Sequence, residues 1–206
     1  MPRRFAAFIA IALLSGHALA EPVQWSTGTG ANGHYYDLIL TIPSSTWAQA
    51  RDAAAASSFA GETGHLVTIT SAEENAFLMS SFDASFNNFV WIGASDAQTE
   101  GAWRWVVGPE AGIQFSSGHT ATAPFNYANW GPVEPNNAGN EDAAGINLGG
   151  LSGGGTLNAQ WGDTSTGTLL GGYIVEYSAL AVPEPQTYAL LLAGLGLLCF
   201  AARRRR

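Results

Sequence analysis

Residues 33–41 (GHYYDLILT) gather aromatic and β-branched side chains in one short run, the pattern of a strand. Residues 44–59 (SSTWAQARDAAAASSF) are rich in Ala and place Trp47, Ala50 and Ala54 on one helical face, with Ser45 or Thr46 available as N-cap. Glycines 61 and 64 end that predicted helix, and residues 65–70 (HLVTIT) predict a short strand. Residues 71–82 (SAEENAFLMSSF) open with Ser71 and Glu74 at capping-box spacing and continue as a second helix. After Phe82 the pattern changes to short apolar runs. Residues 89–94 (FVWIGA), 102–107 (AWRWVV), 144–148 (AGINL), 158–161 (NAQW) and 172–177 (GYIVEY) predict strands. Two helices followed by strands make an α+β arrangement. The loop between Val107 and Ala143 exceeds what a compact domain usually carries without function. The Gly-rich stretch 149–155 has no chemistry of its own.

Both ends stand apart from this pattern. Residues 1–20 carry Arg3 and Arg4, an apolar run and an Ala18-Leu19-Ala20 cleavage site, which predicts a secretory signal peptide rather than a structural helix. Residues 182–206 begin Val182-Pro183-Glu184-Pro185, continue as an apolar stretch over 187–202 and end in four Arg. That stretch is short for a bilayer span, but snorkelling flanks accommodate it, and the Arg run predicts a cytoplasmic C-terminus. The order and spacing of these parts resemble the PEP-CTERM sorting tail of Gram-negative bacteria. The resemblance implies processing by an exosortase-type membrane protease and a surface or exopolysaccharide location, with at least transient anchoring in the inner membrane.

Residues 21–181 then form the exported domain. They hold two basic residues, Arg51 and Arg104, against fifteen acidic ones. Nucleic acid is excluded as a partner, because phosphate binding needs Lys and Arg. Cations suit such a surface, as does simple solvation. The single cysteine, Cys199, lies in the tail, so the domain must fold without disulfides. His34 and His65 begin strands and His119 sits alone, a spacing that does not suit zinc. Strand positions make Trp91, Trp103, Trp105, Trp130 and Trp161 core rather than stacking platforms. No G-x-S-x-G elbow is present, and Glu100 with Glu134 as a glycosidase pair lacks an apolar pocket. An enzyme is not expected.

The segment Trp130–Asp142 (WGPVEPNNAGNED) collects three carboxylates among Asn, Gly and Pro. Together with TWAQARDAA, GHLVTITSAEENAFL, WIGASDAQTEGAWRW, WGD and YIVEY, in that order, it resembles a C-type lectin-like domain over about residues 33–177. The resemblance implies a calcium-dependent carbohydrate-binding module, with Glu134-Pro135-Asn136 as the sugar motif and a cis Glu134–Pro135 bond. It implies that Glu134, Asn136, Glu141 and Asp163 hold both sugar and Ca2+. A second, auxiliary calcium falls to Asp96, Glu100, Asn137, Glu141 and Asp142. Mannose-, glucose- or fucose-type glycan is the implied ligand. Calcium takes six to eight oxygens in irregular geometry, which a bent Asn- and Gly-rich loop can supply. Two departures stand out. Gly162 occupies the place of an Asn ligand, for which Asn158 is a possible substitute. The family's disulfide positions fall at Ala54 with Val175, and at Ala143 with a residue near Thr166. A lectin-like fold serving as a protein-binding or matrix module, with calcium only ordering loops, is the alternative.

Overall fold

The computed structural model describes residues 21–82, 89–118, 126–149 and 159–179. The signal segment 1–20, the tail 182–206, His119 and Asn158 lie outside these residues. Among the described residues, no helix is long and apolar enough to cross a membrane.

Among the described residues, two helices and ten strands build an α+β fold. Strand β1 (Val23–Gln24) pairs antiparallel with the long β2 (Tyr35–Ser45), and β2 pairs with β10 (Leu170–Tyr177), so the two ends of the domain close on each other. Helix α1 (Trp47–Ala56) begins at Thr46, whose hydroxyl accepts from Gln49 N while the Gln49 side chain accepts from Thr46 N, a complete capping box. Its buried face is Trp47, Ala50 and Ala54, as the periodicity predicts. Strands β3 (Ser58–Phe59) and β4 (Glu62–Leu66) follow as a hairpin, and β4 joins β10.

Helix α2 (Ala72–Ser81) has Ser71 as N-cap, with Ser71 Oγ accepting from Glu74 N at 3.1 Å. The expected box is only half made. The Glu74 carboxylate accepts instead from Thr70 N at 2.8 Å and from the Tyr36 hydroxyl at 2.6 Å, because the helix start is buried against β2. The remaining strands are β5 (Phe89–Ser95), β6 (Ala102–Trp105), β7 (Gln114–Ser117), β8 (Ala143–Asn147) and β9 (Trp161–Thr164). β5 is the hub: it pairs with β6 and β8 antiparallel and meets β10 in parallel at Trp91 and Tyr173.

Three expectations are corrected. The 65–70 run is strand only to Leu66; Val67 then leaves the ladder to bond β10 through Ile174 O and β5 through Gly93 N, while staying fully buried. The 158–161 strand lies instead at Trp161–Thr164, after a positive φ of 48° at Ala159 turns the chain. The stretch between Val107 and Ala143 is not wholly loop, since β7 pairs with β6 inside it.

The core has two parts. One gathers Trp103, Trp105, Phe115 and Trp161 with Val90, Ile92 and Ile146. The other gathers Trp47, Ala54, Leu66, Trp91, Ala143 and Val175. Trp91, Trp103, Trp105 and Trp161 are fully buried, and Trp130 is half-buried against Trp103 and Trp161. Ala54 and Val175 pack closely around Gly64, where a Cβ would come within 2.7 Å of both Ala54 O and Val175 Cγ1. His34 Nδ1 lies 2.6 Å from the buried carboxylate of Glu176.

Candidate binding site

The site forms where the loop after Trp130 folds back over β8 and β9. β8 and β9 pair Ala144 with Asp163 and Gly145 with Gly162, which sets Asp163 at the sheet's end. The loop is tied to β9 at its start: Trp161 N donates to Asn129 O and Gly131 N to Trp161 O, both at 2.8 Å. The Glu134–Pro135 bond is cis. Both Asp163 oxygens then accept backbone N–H groups, from Asn136 at 2.9 Å and Asn137 at 2.8 Å. One carboxylate thus fixes the turn that follows the proline. Residues Asn137, Gly139 and Asn140 have positive φ, a conformation open to Gly and tolerated by Asn, and this bends the loop on itself.

The four residues of the predicted sugar set come together. Asn136 Nδ2 donates to Glu134 Oε2 at 2.7 Å, and Ala138 N donates to Glu141 Oε2 at 2.9 Å. Burial pushes the Glu134 carboxyl up to about 7, and Asp163 and Glu141 reinforce the shift. Burial also raises Glu141, with the charge of Asp163 adding to it. Like charges crowd here, and among the described residues no basic side chain balances them.

The auxiliary set comes together too, across two loops. Asn137 Nδ2 donates to Glu100 Oε1, Glu141 N to Asn137 Oδ1 and Asn140 Nδ2 to Asp142 Oδ2, all at 2.8–2.9 Å. Asp96 is 1 % exposed; its Oδ2 accepts from Gly101 N, but its Oδ1 has no partner. Burial, Glu100 and Asp142 push the Asp96 carboxyl up to about 6. Ser95 was not anticipated. Its hydroxyl donates to Asp142 O at 2.6 Å and accepts from Ala97 N, clipping the two loops together. A Ser one residue before an Asp in a post-strand loop is a turn signal in the sequence, but only the fold shows what it bonds.

These donors suit a hard divalent cation. Among the described residues, no three His, Cys, Asp or Glu side chains meet closely enough to hold a metal alone. A cation here would also have to draw on the oxygens of Asn136, Asn137 and the backbone, as irregular calcium geometry permits. A buried carboxylate oxygen without a partner costs energy unless something positive meets it. Asp96 Oδ1 is such an atom. At Gly162 the departure is physical rather than steric, since a Cβ there would meet Phe89 Cζ at 3.4 Å and Glu134 Cδ at 3.5 Å, ordinary contact distances.

Residues 44–169 match the family described as Lectin C-type domain. The chain belongs to the C-type lectin family. Residues 181–206 match the PEP-CTERM protein-sorting motif. Among relatives, halomucin of Haloquadratum walsbyi is 39% identical over 179 residues, covering 81% of this chain and 2% of halomucin. The perlucin-like protein of Mytilus galloprovincialis is 32% identical over 113 residues, which cover 54% of this chain and 60% of that protein. The matched stretch thus spans a small part of the length of halomucin and less than two thirds of the mussel protein. The carbohydrate-recognition domain of cow CD23, solved in the presence of a GlcNAc2Man3 oligosaccharide, aligns with a TM-score of 0.51 and 26% identity over 72% of this chain and 90% of that domain. The lectin CEL-I of Cucumaria echinata shares the fold, at a TM-score of 0.53 and 23% identity over 76% of this chain and 96% of CEL-I.

Proposed function

We propose that the domain spanning residues 21–181 is a calcium-dependent carbohydrate-binding module, exported and held at the surface or in the exopolysaccharide of a Gram-negative bacterium. The signal segment 1–20 starts its export. The sorting tail 182–206 anchors it in the inner membrane until an exosortase-type protease processes it. The observation that carries the reading is the convergence of Glu134, Asn136 and Glu141 of one loop with Asp163 of β9, whose carboxylate holds the backbone that follows the proline.

Glu134, Asn136, Glu141 and Asp163 would hold one calcium, and Asp96, Glu100, Asn137, Glu141 and Asp142 a second. Bound calcium would supply a Lewis-acid centre for two vicinal sugar hydroxyls. The chain supplies the rest. The carboxylates of Glu134 and Glu141 accept hydrogen bonds from the sugar hydroxyls, and the Asn136 amide donates one. The clipped loops keep these groups in place before sugar arrives, which lowers the ordering cost of binding. Glycans of mannose, glucose or fucose type are the class we assign, and no turnover is involved. The oligosaccharide in the cow CD23 structure supports glycan as the ligand class. A single shallow site of this kind binds a monosaccharide in roughly the millimolar range, so adhesion requires several copies.

Gly162 favours a second reading, in which the lectin fold binds protein or serves as matrix and calcium only orders loops. A glycan panel probed with and without chelator separates the two. Hexose binding lost on chelation supports the first reading. Absence of hexose binding at millimolar calcium, with the calcium-induced rise in melting temperature intact, leaves the second.

A further inference from the structure

A cavity of about 280 Å3 is walled by the turn between β6 and β7 and shares no lining residue with the 130–142 loop. Trp105 and Phe115 give it a buried apolar floor, and Tyr127 and the 47% exposed Ile113 carry that surface to the rim. Glu110, Thr70 and Asn126 form its polar side. The turn is fixed before any ligand arrives. Ile113 N donates to Glu110 O at 2.9 Å and Trp105 N to Ile113 O at 3.1 Å. Gly108 lies against the His65 ring, where a Cβ would stand 2.6 Å from Cε1.

The polar side of this cavity lacks a positive charge. Thr68 Oγ1 lies 2.8 Å from Glu110 Oε2 and 3.1 Å from Glu176 Oε2, but a hydroxyl has one hydrogen and can serve only one of them. Glu176 has other partners: it accepts from Thr68 N at 3.0 Å and lies 2.6 Å from His34 Nδ1. Among the described residues, no Lys or Arg forms an ion pair with Glu110. Burial pushes the Tyr127 phenol up to about 12, and the charges of Glu73 and Glu74 add to the shift, so the potential at that wall is negative too. Thr70 Oγ1 gives its hydrogen to Glu74 Oε2 and keeps lone pairs for a donor, and the Asn126 amide has an oxygen to offer.

Three acceptors beside an apolar floor match the three hydrogens of a primary ammonium and the carbon chain that carries it. A guanidinium is a wider planar fork, and a quaternary ammonium has no N–H to give. The volume lies below that of drug-sized sites and suits a stem of a few carbons. We infer that this cavity binds a primary ammonium on a short aliphatic stem, with Glu110 as its counter-ion. A lysine side chain of a partner protein and a free polyamine share that chemistry. Two basic residues against fifteen acidic ones over 21–181 draw cations to the domain in general; the apolar floor selects among them. This binding stands apart from the carbohydrate reading above.

The test is a ligand-observed NMR titration on the full-length protein in a neutral detergent, run in chelator and in millimolar calcium. The probes are Nα-acetyl-lysine methylamide, the same compound acetylated on its side-chain nitrogen, and putrescine. The lysine probe or putrescine is expected to bind at least about tenfold more tightly than the acetylated compound, in both solutions. The tighter of the two identifies the source, a partner chain or a free polyamine. Glu110→Gln, which keeps an acceptor for Thr68, should weaken the amine at least about tenfold, and Asn126→Ala, at an exposed position, about threefold. An acetylated probe that binds as well as the amine would overturn the proposal, as would an amine affinity unchanged in both variants. Displacement of the amine by millimolar calcium would overturn it too, because the cavity would then be a metal site.

Discussion

Asp163→Ala is the most informative single change. Asp163 is 7% exposed and its two oxygens accept from the backbone N–H groups of Asn136 and Asn137 at 2.9 and 2.8 Å. Hydrogen bonds to a charged acceptor contribute roughly 1.5–3 kcal/mol each. Asn136 is exposed and Asn137 half-buried, so water recovers part of that loss once the carboxylate is gone. Removing the charge also relieves Glu134 and Glu141, which it crowds. The net cost without calcium should be about 2 kcal/mol, or roughly 4–8 °C in melting temperature for a domain of this size. Calcium at a hundredfold excess over its dissociation constant should stabilise the wild type by about 2.7 kcal/mol more. In Asp163→Ala that increment should shrink to what the auxiliary set retains, and hexose binding should vanish. Asp163→Asn keeps one acceptor and should fall between. The assay is a pair of thermal melts, in chelator and in excess calcium, on each protein. If Asp163→Ala melts within about 1 °C of wild type in chelator, the carboxylate does not hold the turn. An undiminished calcium increment would mean that it is not a ligand.

Other changes test separate parts of the argument. Asp96→Asn should stabilise the domain in chelator, by removing a buried charge with an unpartnered oxygen, and reduce the calcium increment; destabilisation in chelator would contradict the charge crowding seen at Glu100 and Asp142. Gly162→Asn should fold with a stability change below about 1 kcal/mol, since its Cβ meets only ordinary contacts. It should also lower the calcium concentration needed for half-maximal hexose binding, as read from a calcium titration; no change would deny Gly162 any part in the site. Gly64→Ala should cost about 1–3 kcal/mol, because a Cβ would press within 2.7 Å of Ala54 O and Val175 Cγ1, and a chemical denaturation curve reads this directly.

The pH response has a definite sign. Burial and the neighbouring charge of Glu176 raise Glu74 from an ordinary 4.5 to about 7. At His34 burial acts downward, but the hydrogen bond and charge of Glu176 outweigh it and raise the imidazole above 6.5. Both groups hold protons more tightly folded than unfolded, so their contribution is full below about pH 4.5 and declines as pH rises through 7. In chelator the melting temperature should therefore fall from pH 5 to pH 8, and a rise across that window would refute the assignment.

The sequence alone determined the local elements and the chemical type of the site. The helical face of Trp47, Ala50 and Ala54 and the apolar runs of β5 and β10 follow from side-chain period, which neighbouring residues set. The oxygens of 134–142 are likewise present in the chain whatever its fold. Some boundaries escaped because long-range partners moved them. Val67 leaves its strand to bond two others, β7 forms only against β6, and Glu74 abandons its cap for Tyr36. Only the tertiary structure could decide that Asp163 anchors residues 136 and 137, that Ser95 clips Asp142, and that Asp96 Oδ1 is left alone. Those contacts join segments distant in the chain, and strand register and burial, which no local pattern encodes, bring them within bonding distance.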